Sequence, residues 1–187
     1  MRNTLSRNRR NRRSIRLKGY DYSQPGLYSS TICVQNKLCL FGKIIDKKMV
    51  LNDAGKMVHQ EWLNIPERFP NIKLHSFVVM PNHFHSIIEI TKQAFHPQKT
   101  KMIDGELVTM EILPIVLGDI LGAFQSITAV EYIKGVKELG WERFIKKLWQ
   151  RNYFERIIRH QQMYDNISNY IIANPENWKQ DNLNPSP

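Results

Sequence analysis

Met80-Pro81-Asn82-His83-Phe84-His85-Ser86-Ile87-Ile88-Glu89-Ile90 is the stretch on which the reading of this chain turns. The β-branched run from Ser86 to Ile90 predicts a strand, and Met80-Pro81-Asn82 predicts a turn that feeds it. Side chains alternate faces along a strand, so His83 and His85 share one face while Phe84 enters the opposite layer. Two imidazoles fixed side by side on a rigid element suit a divalent metal. The same spacing also arises from two ordinary core or surface histidines, so the pair needs partners from elsewhere in the chain.

Working outward, Ile72 to Met80 is strand-like and forms an antiparallel hairpin with the histidine strand. Upstream, a strand is expected over about Leu27 to Val34, where Ser29, Thr31 and Cys33 alternate with Tyr28, Ser30, Ile32 and Val34. Phe41 to Val50 reads as a minor hairpin. Asn52 then caps a first helix over about 53 to 64, which Pro66 and Pro70 close. Downstream, residues 92 to 113 read as an irregular excursion with a turn at Asp104-Gly105.

A long amphipathic helix is expected from about Leu117 to Glu138, its core face marked by Ile120, Leu121, Phe124 and Ile127. Arg151 to Ile158 reads as a fourth main strand. A last helix starts near Gln162 and ends at Asn174-Pro175, because the residue before proline resists helical geometry. The order strand, helix, strand, strand, helix, strand, helix predicts an α+β fold, a ferredoxin-like split βαβ with a central antiparallel sheet.

The chain has 187 residues, enough for one domain with a real core. No window approaches the roughly 18 apolar residues of a membrane span, and the arginine-rich start lacks the apolar segment of a secretory signal, so a cytoplasmic protein is expected. Cys33 and Cys39 lack CxxC spacing and read as reduced thiols. The net charge is +10, and residues 1 to 18 hold eight basic residues (among them Arg9, Arg10, Arg12, Arg13, Arg16 and Lys18) with no acid. The excess is thus an arm over 1–19, ahead of a domain over 20–180 and a polar tail over 181–187 expected to be loose. Such an arm cannot fold alone, and its natural partner is a phosphate backbone; a solubilising tail would look similar.

The last helix places Tyr170 and Asn174 four residues apart, on one face. If it packs across the histidine strand, a phenol and an amide converge on His83 and His85. A phenol with an ordinary pKa near 10 is a poor nucleophile at neutral pH. A metal that polarises a phosphodiester relaxes that demand, and attack by tyrosine would leave a covalent intermediate. Tyr153, in the predicted strand near this site, is a rival nucleophile with packing or DNA stacking as its alternative. Tyr164, six residues before Tyr170, falls on a different helical face. His75, on the neighbouring strand, would orient a ligand or be an ordinary core histidine.

His83-Phe84-His85 resembles the HUH signature (histidine, bulky hydrophobic, histidine) of the single-stranded DNA endonucleases. Asn169-Tyr170-Ile171-Ile172-Ala173-Asn174-Pro175 is similar to the tyrosine helix of the single-tyrosine insertion-sequence transposases, and more closely to that of the REP-associated tyrosine transposases. Ser14 to Tyr22, Thr31-Ile32-Cys33 and Trp149 to Glu155 extend the match to about residues 12–178.

That resemblance implies a transposase acting on single-stranded or hairpin DNA. Tyr170 would be the nucleophile, joined to a DNA 5′ phosphate, and His83 and His85 would hold Mg2+ or Mn2+. Asn174 would be a third ligand where insertion-sequence members use glutamine; capping the helix before Pro175 is its equally open alternative. The resemblance leans toward a monomer over a homodimer. Two other classes compete: a DNA-hairpin-binding protein of the same fold without catalysis, and an RNA-binding module. The second lacks the exposed aromatic signature of such sheets.

Overall fold

The computed structural model describes residues 17, 19–98, 100–103 and 106–185. The basic residues Arg9, Arg10, Arg12, Arg13, Arg16 and Lys18 and the turn expected at Asp104-Gly105 lie outside the described residues. In chain order the elements are β1 (Gly26–Cys33), β2 (Gly42–Ile45), β3 (Lys48–Leu51), α1 (Asp53–Leu63), the single turn α2 (Ile65–Arg68), β4 (Ile72–Val79) and β5 (His83–Ile90). There follow β6 (Thr100–Ile103), β7 (Glu106–Thr109), α3 (Leu117–Glu138), β8 (Phe154–Ile158) and α4 (Gln161–Ala173).

Four strands form the central sheet in the order β4-β5-β1-β8, all pairs antiparallel. With α1 between β1 and β4 and α3 between β5 and β8, this is the expected ferredoxin-like α+β arrangement. The excursion after β5 departs from the expectation of irregular chain: β6 and β7 pair as a two-stranded ribbon. Each strand is only four residues long, with Met102 and Leu107 exposed, and so short a two-stranded ribbon has little sequence signal. β8 is also shorter than expected, beginning at Phe154, because Trp149 and Gln150 pair with the end of β1 before the chain turns into the strand.

Capping chemistry sets the helix starts. Asn52 Oδ1 accepts the Gly55 N–H at 2.8 Å, so α1 begins at Asp53. Asp119 Oδ2 accepts the Val116 N–H at 2.9 Å at the head of α3. His160 Nδ1 accepts the Met163 N–H at 3.3 Å at the head of α4.

The two faces of the sheet are covered differently. On one, Tyr28, Ile32, Phe84 and Ile88 meet α1 and α3 in the main core. Phe84 is fully buried there, with Trp62 and Phe124 rings at 4.9 and 5.0 Å. On the other, α4 lies across the sheet and buries Ile87, Ile158 and Ile171. Ser76 and Ser168 also bond across this interface, at 2.5 Å. The histidine strand is central, with β4 and β1 on its flanks, so its side chains cannot shift without moving both layers.

Candidate functional site

The strand alternation that drives Phe84 into the main core turns His83 and His85 toward α4. Both rings are buried, 0% and 5% exposed, with centroids 4.6 Å apart. Each is oriented by a neighbour through Nδ1. Asn82 spends its amide nitrogen on the carbonyls of Lys37 (3.1 Å) and Leu183 (2.7 Å), so its Oδ1 must accept from His83 Nδ1–H, at 2.8 Å. Thr31 Oγ1 sits 2.7 Å from His85 Nδ1 and can accept its proton. These partners leave the Nε2 lone pairs of both rings free.

Both Nε2 atoms are buried without a hydrogen-bond partner, and so is Asn174 Oδ1. Asn174, 1% exposed, closes α4 with its backbone N–H bonded to Ile171 O; its side-chain oxygen accepts nothing. Three orphaned polar atoms at one place cost several kcal/mol unless something satisfies them. Asp181 adds a carboxylate: its Oδ2 lies 3.7 Å from His83 Nε2, and ligand atoms of His83, His85 and Asp181 fall within 4.8 Å of one another. Two imidazoles, an amide oxygen and a carboxylate oxygen fit a divalent cation.

Burial pushes the His83 pKa down to about 4, opposed by the Asn174 amide. It pushes that of His85 down to about 3, with His83 adding to the effect and Asp181 opposing it. Both rings are therefore neutral, the ligating form, throughout the physiological range.

Tyr170 stands over this group with its ring 5.3 Å from His85 and 51% exposed. Burial of its phenol and the Asp181 charge hold its pKa above the ordinary value, and Asn174 opposes them. A phenol open to solvent and a buried set of candidate ligand atoms thus meet on one chain.

Of the sequence-predicted residues, the structure brings together His83, His85, Tyr170 and Asn174. His75 lies elsewhere, bonded to Glu89 (2.9 Å) and to the Tyr164 hydroxyl (3.1 Å), where it pins α4 to the sheet edge. Tyr153 packs against the main core on the opposite face. Asp181 and Trp178, whose ring is 5.9 Å from His83, were not foreseen. They belong to a polar segment without periodicity, and contact with residues about a hundred positions earlier has no local signal. Within the segment expected to be loose, the backbone carbonyls of Asn182 and Leu183 accept bonds from Lys37 and Asn82, and Asp181 Oδ1 accepts the Leu183 N–H.

The fold and its central sheet are those of a tyrosine transposase. The solved structure of a REP-associated tyrosine transposase bound to a REP hairpin superimposes with a TM-score of 0.51 at 16% identity, over 83% of this chain and 70% of that one. The chain belongs to the same family as an uncharacterized protein of Haemophilus influenzae, to which it is 42% identical over 176 residues, 92% of either chain. No protein-family model matches the chain. Among the described residues, no helix is long and apolar enough to cross a membrane.

Proposed function

We propose that the protein is a metal-dependent endonuclease and strand transferase for single-stranded DNA beside hairpins, with Tyr170 as nucleophile. One observation carries this reading: three buried, unpartnered ligand atoms, on His83, His85 and Asn174, converge below an exposed tyrosine. His83, His85, Asn174 and Asp181 would hold Mg2+ or Mn2+, and the two imidazole nitrogens favour Mn2+. The bound ion would polarise the scissile phosphate and offset charge developing on it.

The chain's own residues do the rest. The Tyr170 phenol oxygen forms a bond to phosphorus while the bond from phosphorus to the 3′ oxygen breaks. The phenolic proton passes by way of solvent to the departing 3′ oxygen, which leaves as a hydroxyl, and the DNA 5′ phosphate stays on the tyrosine. Attack of another 3′ hydroxyl on that ester reverses the step and completes strand transfer. Asn174, beside both His83 and the phenol, holds the tyrosine in register with the ligand set. Tyr170 reaches His85 of its own chain, which supports a monomer acting in cis. The basic arm, residues 1–19, would grip the hairpin backbone. The hairpin in the solved neighbour agrees with that substrate.

The test is incubation with end-labelled single-stranded DNA carrying hairpins, with and without Mn2+, beside Tyr170→Phe and His83→Ala. An adduct that survives denaturation, needs metal and is lost in both variants is expected. Tight hairpin binding with no adduct from a broad pool of DNA would replace this reading by that of a non-catalytic hairpin-binding protein.

A further inference from the structure

Among the described residues β8 is an edge strand, paired to β1 on one side only, and its composition is unusual for a strand that merely closes a sheet. Register places Phe154 opposite Thr31, Arg156 opposite Ser29 and Ile158 opposite Leu27, so all three look toward α4. Ile158 is covered by α4. Phe154 is 57% exposed, and Arg156 is exposed as well. A phenylalanine placed for packing would be covered like Ile158. This one forms instead the wall of a cleft of about 350 Å³ between β8 and α4, floored by Ser29 and Thr31 and ending at His85 and Tyr170.

A second cleft, of about 380 Å³, adjoins it at the shared residues Glu155 and Arg156 and is lined further by Arg159, His160 and Leu17, the last of these within the 1–19 span of the arm. Among the described residues, neither Arg156 nor Arg159 is in an ion pair. An uncovered aromatic followed by two arginines that make no ion pair among the described residues, extending from Tyr170 toward Leu17, is an arrangement that suits one unpaired strand. Any base can stack on the ring, and the guanidinium groups take successive phosphates.

We infer that the groove along β8 is the path of the unpaired nucleotides flanking the scissile phosphate, with Phe154 stacking on a base and Arg156, then Arg159, holding the backbone. This rests on the DNA-processing reading above and adds the residues that select single strands. α4 walls the groove on one side, and stacking on Phe154 in its wall requires a base already out of its pair.

The test uses the full chain in EDTA and a fluorescein-labelled, mixed-sequence single strand of about 20 nucleotides, read by anisotropy over a salt series. Phe154→Ala should weaken binding roughly 5- to 150-fold, the range for loss of one stacked base. Phe154→Trp should restore it and Phe154→Leu should not. Arg156→Gln should lower the slope of log K against log salt by about 0.7, the value for one single-strand phosphate contact. Neither variant should alter binding of a blunt duplex of the same length. Both side chains are at the surface, so circular dichroism melting should match the wild type.

Wild-type affinity and salt slope on single strands in both Phe154→Ala and Arg156→Gln would overturn the inference. Adduct formation by the unaltered protein is followed in parallel. If it is absent while these losses are present, the catalytic reading fails and the strand path stands.

Discussion

The depressed pKa values of the histidine pair make a quantitative statement about metal affinity. A site built from two ordinary imidazoles, each with a pKa near 6.5, keeps only about 3% of each ring neutral at pH 5, so its affinity falls roughly a thousandfold from pH 7. Here burial lowers His83 to about 4 and His85 to about 3, so both stay neutral at pH 5. The expected outcome is an Mn2+ dissociation constant that weakens less than tenfold between pH 7 and pH 5. Titration calorimetry in two buffers of different ionisation enthalpy should also show almost no proton release. A loss of a hundredfold or more, with about two protons released per ion at pH 5.5, would refute the argument that these rings are desolvated and pre-set for a cation. His83→Gln should remove the binding altogether, which ties the signal to this site.

The same desolvation makes the fold acid-labile. Because both folded-state pKa values are depressed, the stability they confer is complete above about pH 6.5 and is lost as pH falls toward about 4. Metal-free protein should lose roughly 2 kcal/mol from pH 6 to pH 5, about 4–8 °C in Tm for a chain of this size, and a His83→Gln/His85→Gln variant should lose much less. Thr31→Val removes the partner of His85 Nδ1 and should weaken Mn2+ binding 10- to 100-fold by calorimetry while the fold persists. Phe84→Ala opens a cavity among Trp62 and Phe124 and should cost about 3–5 kcal/mol in urea unfolding. Hydrogen exchange should show residues 178–185 slowing when Mn2+ is added, since Asp181 approaches the ligand set from that segment.

Much of the fold was legible because it obeys local rules. The alternation around His83-Phe84-His85 placed the histidines and Phe84 in opposite layers, and Asn52 marked the start of α1. The ribbon of β6 and β7 was illegible because each strand spans only four residues, too few to establish a period. For Asn174 the sequence left two roles open, helix cap or ligand. In the structure the backbone N–H closes the helix and the side-chain oxygen is left buried and unpartnered, so the capping role makes no use of the amide.

Asp181 shows where reading from the sequence stops in physical terms. A strand or helix residue announces its neighbours through a period of two or of 3.6, but Asp181 follows a single turn of 3-10 helix in a polar stretch. Its position depends on bonds reaching back to Lys37 and Asn82, the residue that also fixes the His83 tautomer. One asparagine therefore couples two things: which nitrogen of His83 faces the site, and where the segment carrying the carboxylate lies. Asn82→Ala would release both together. It should weaken Mn2+ binding more than Thr31→Val, which touches only one ring.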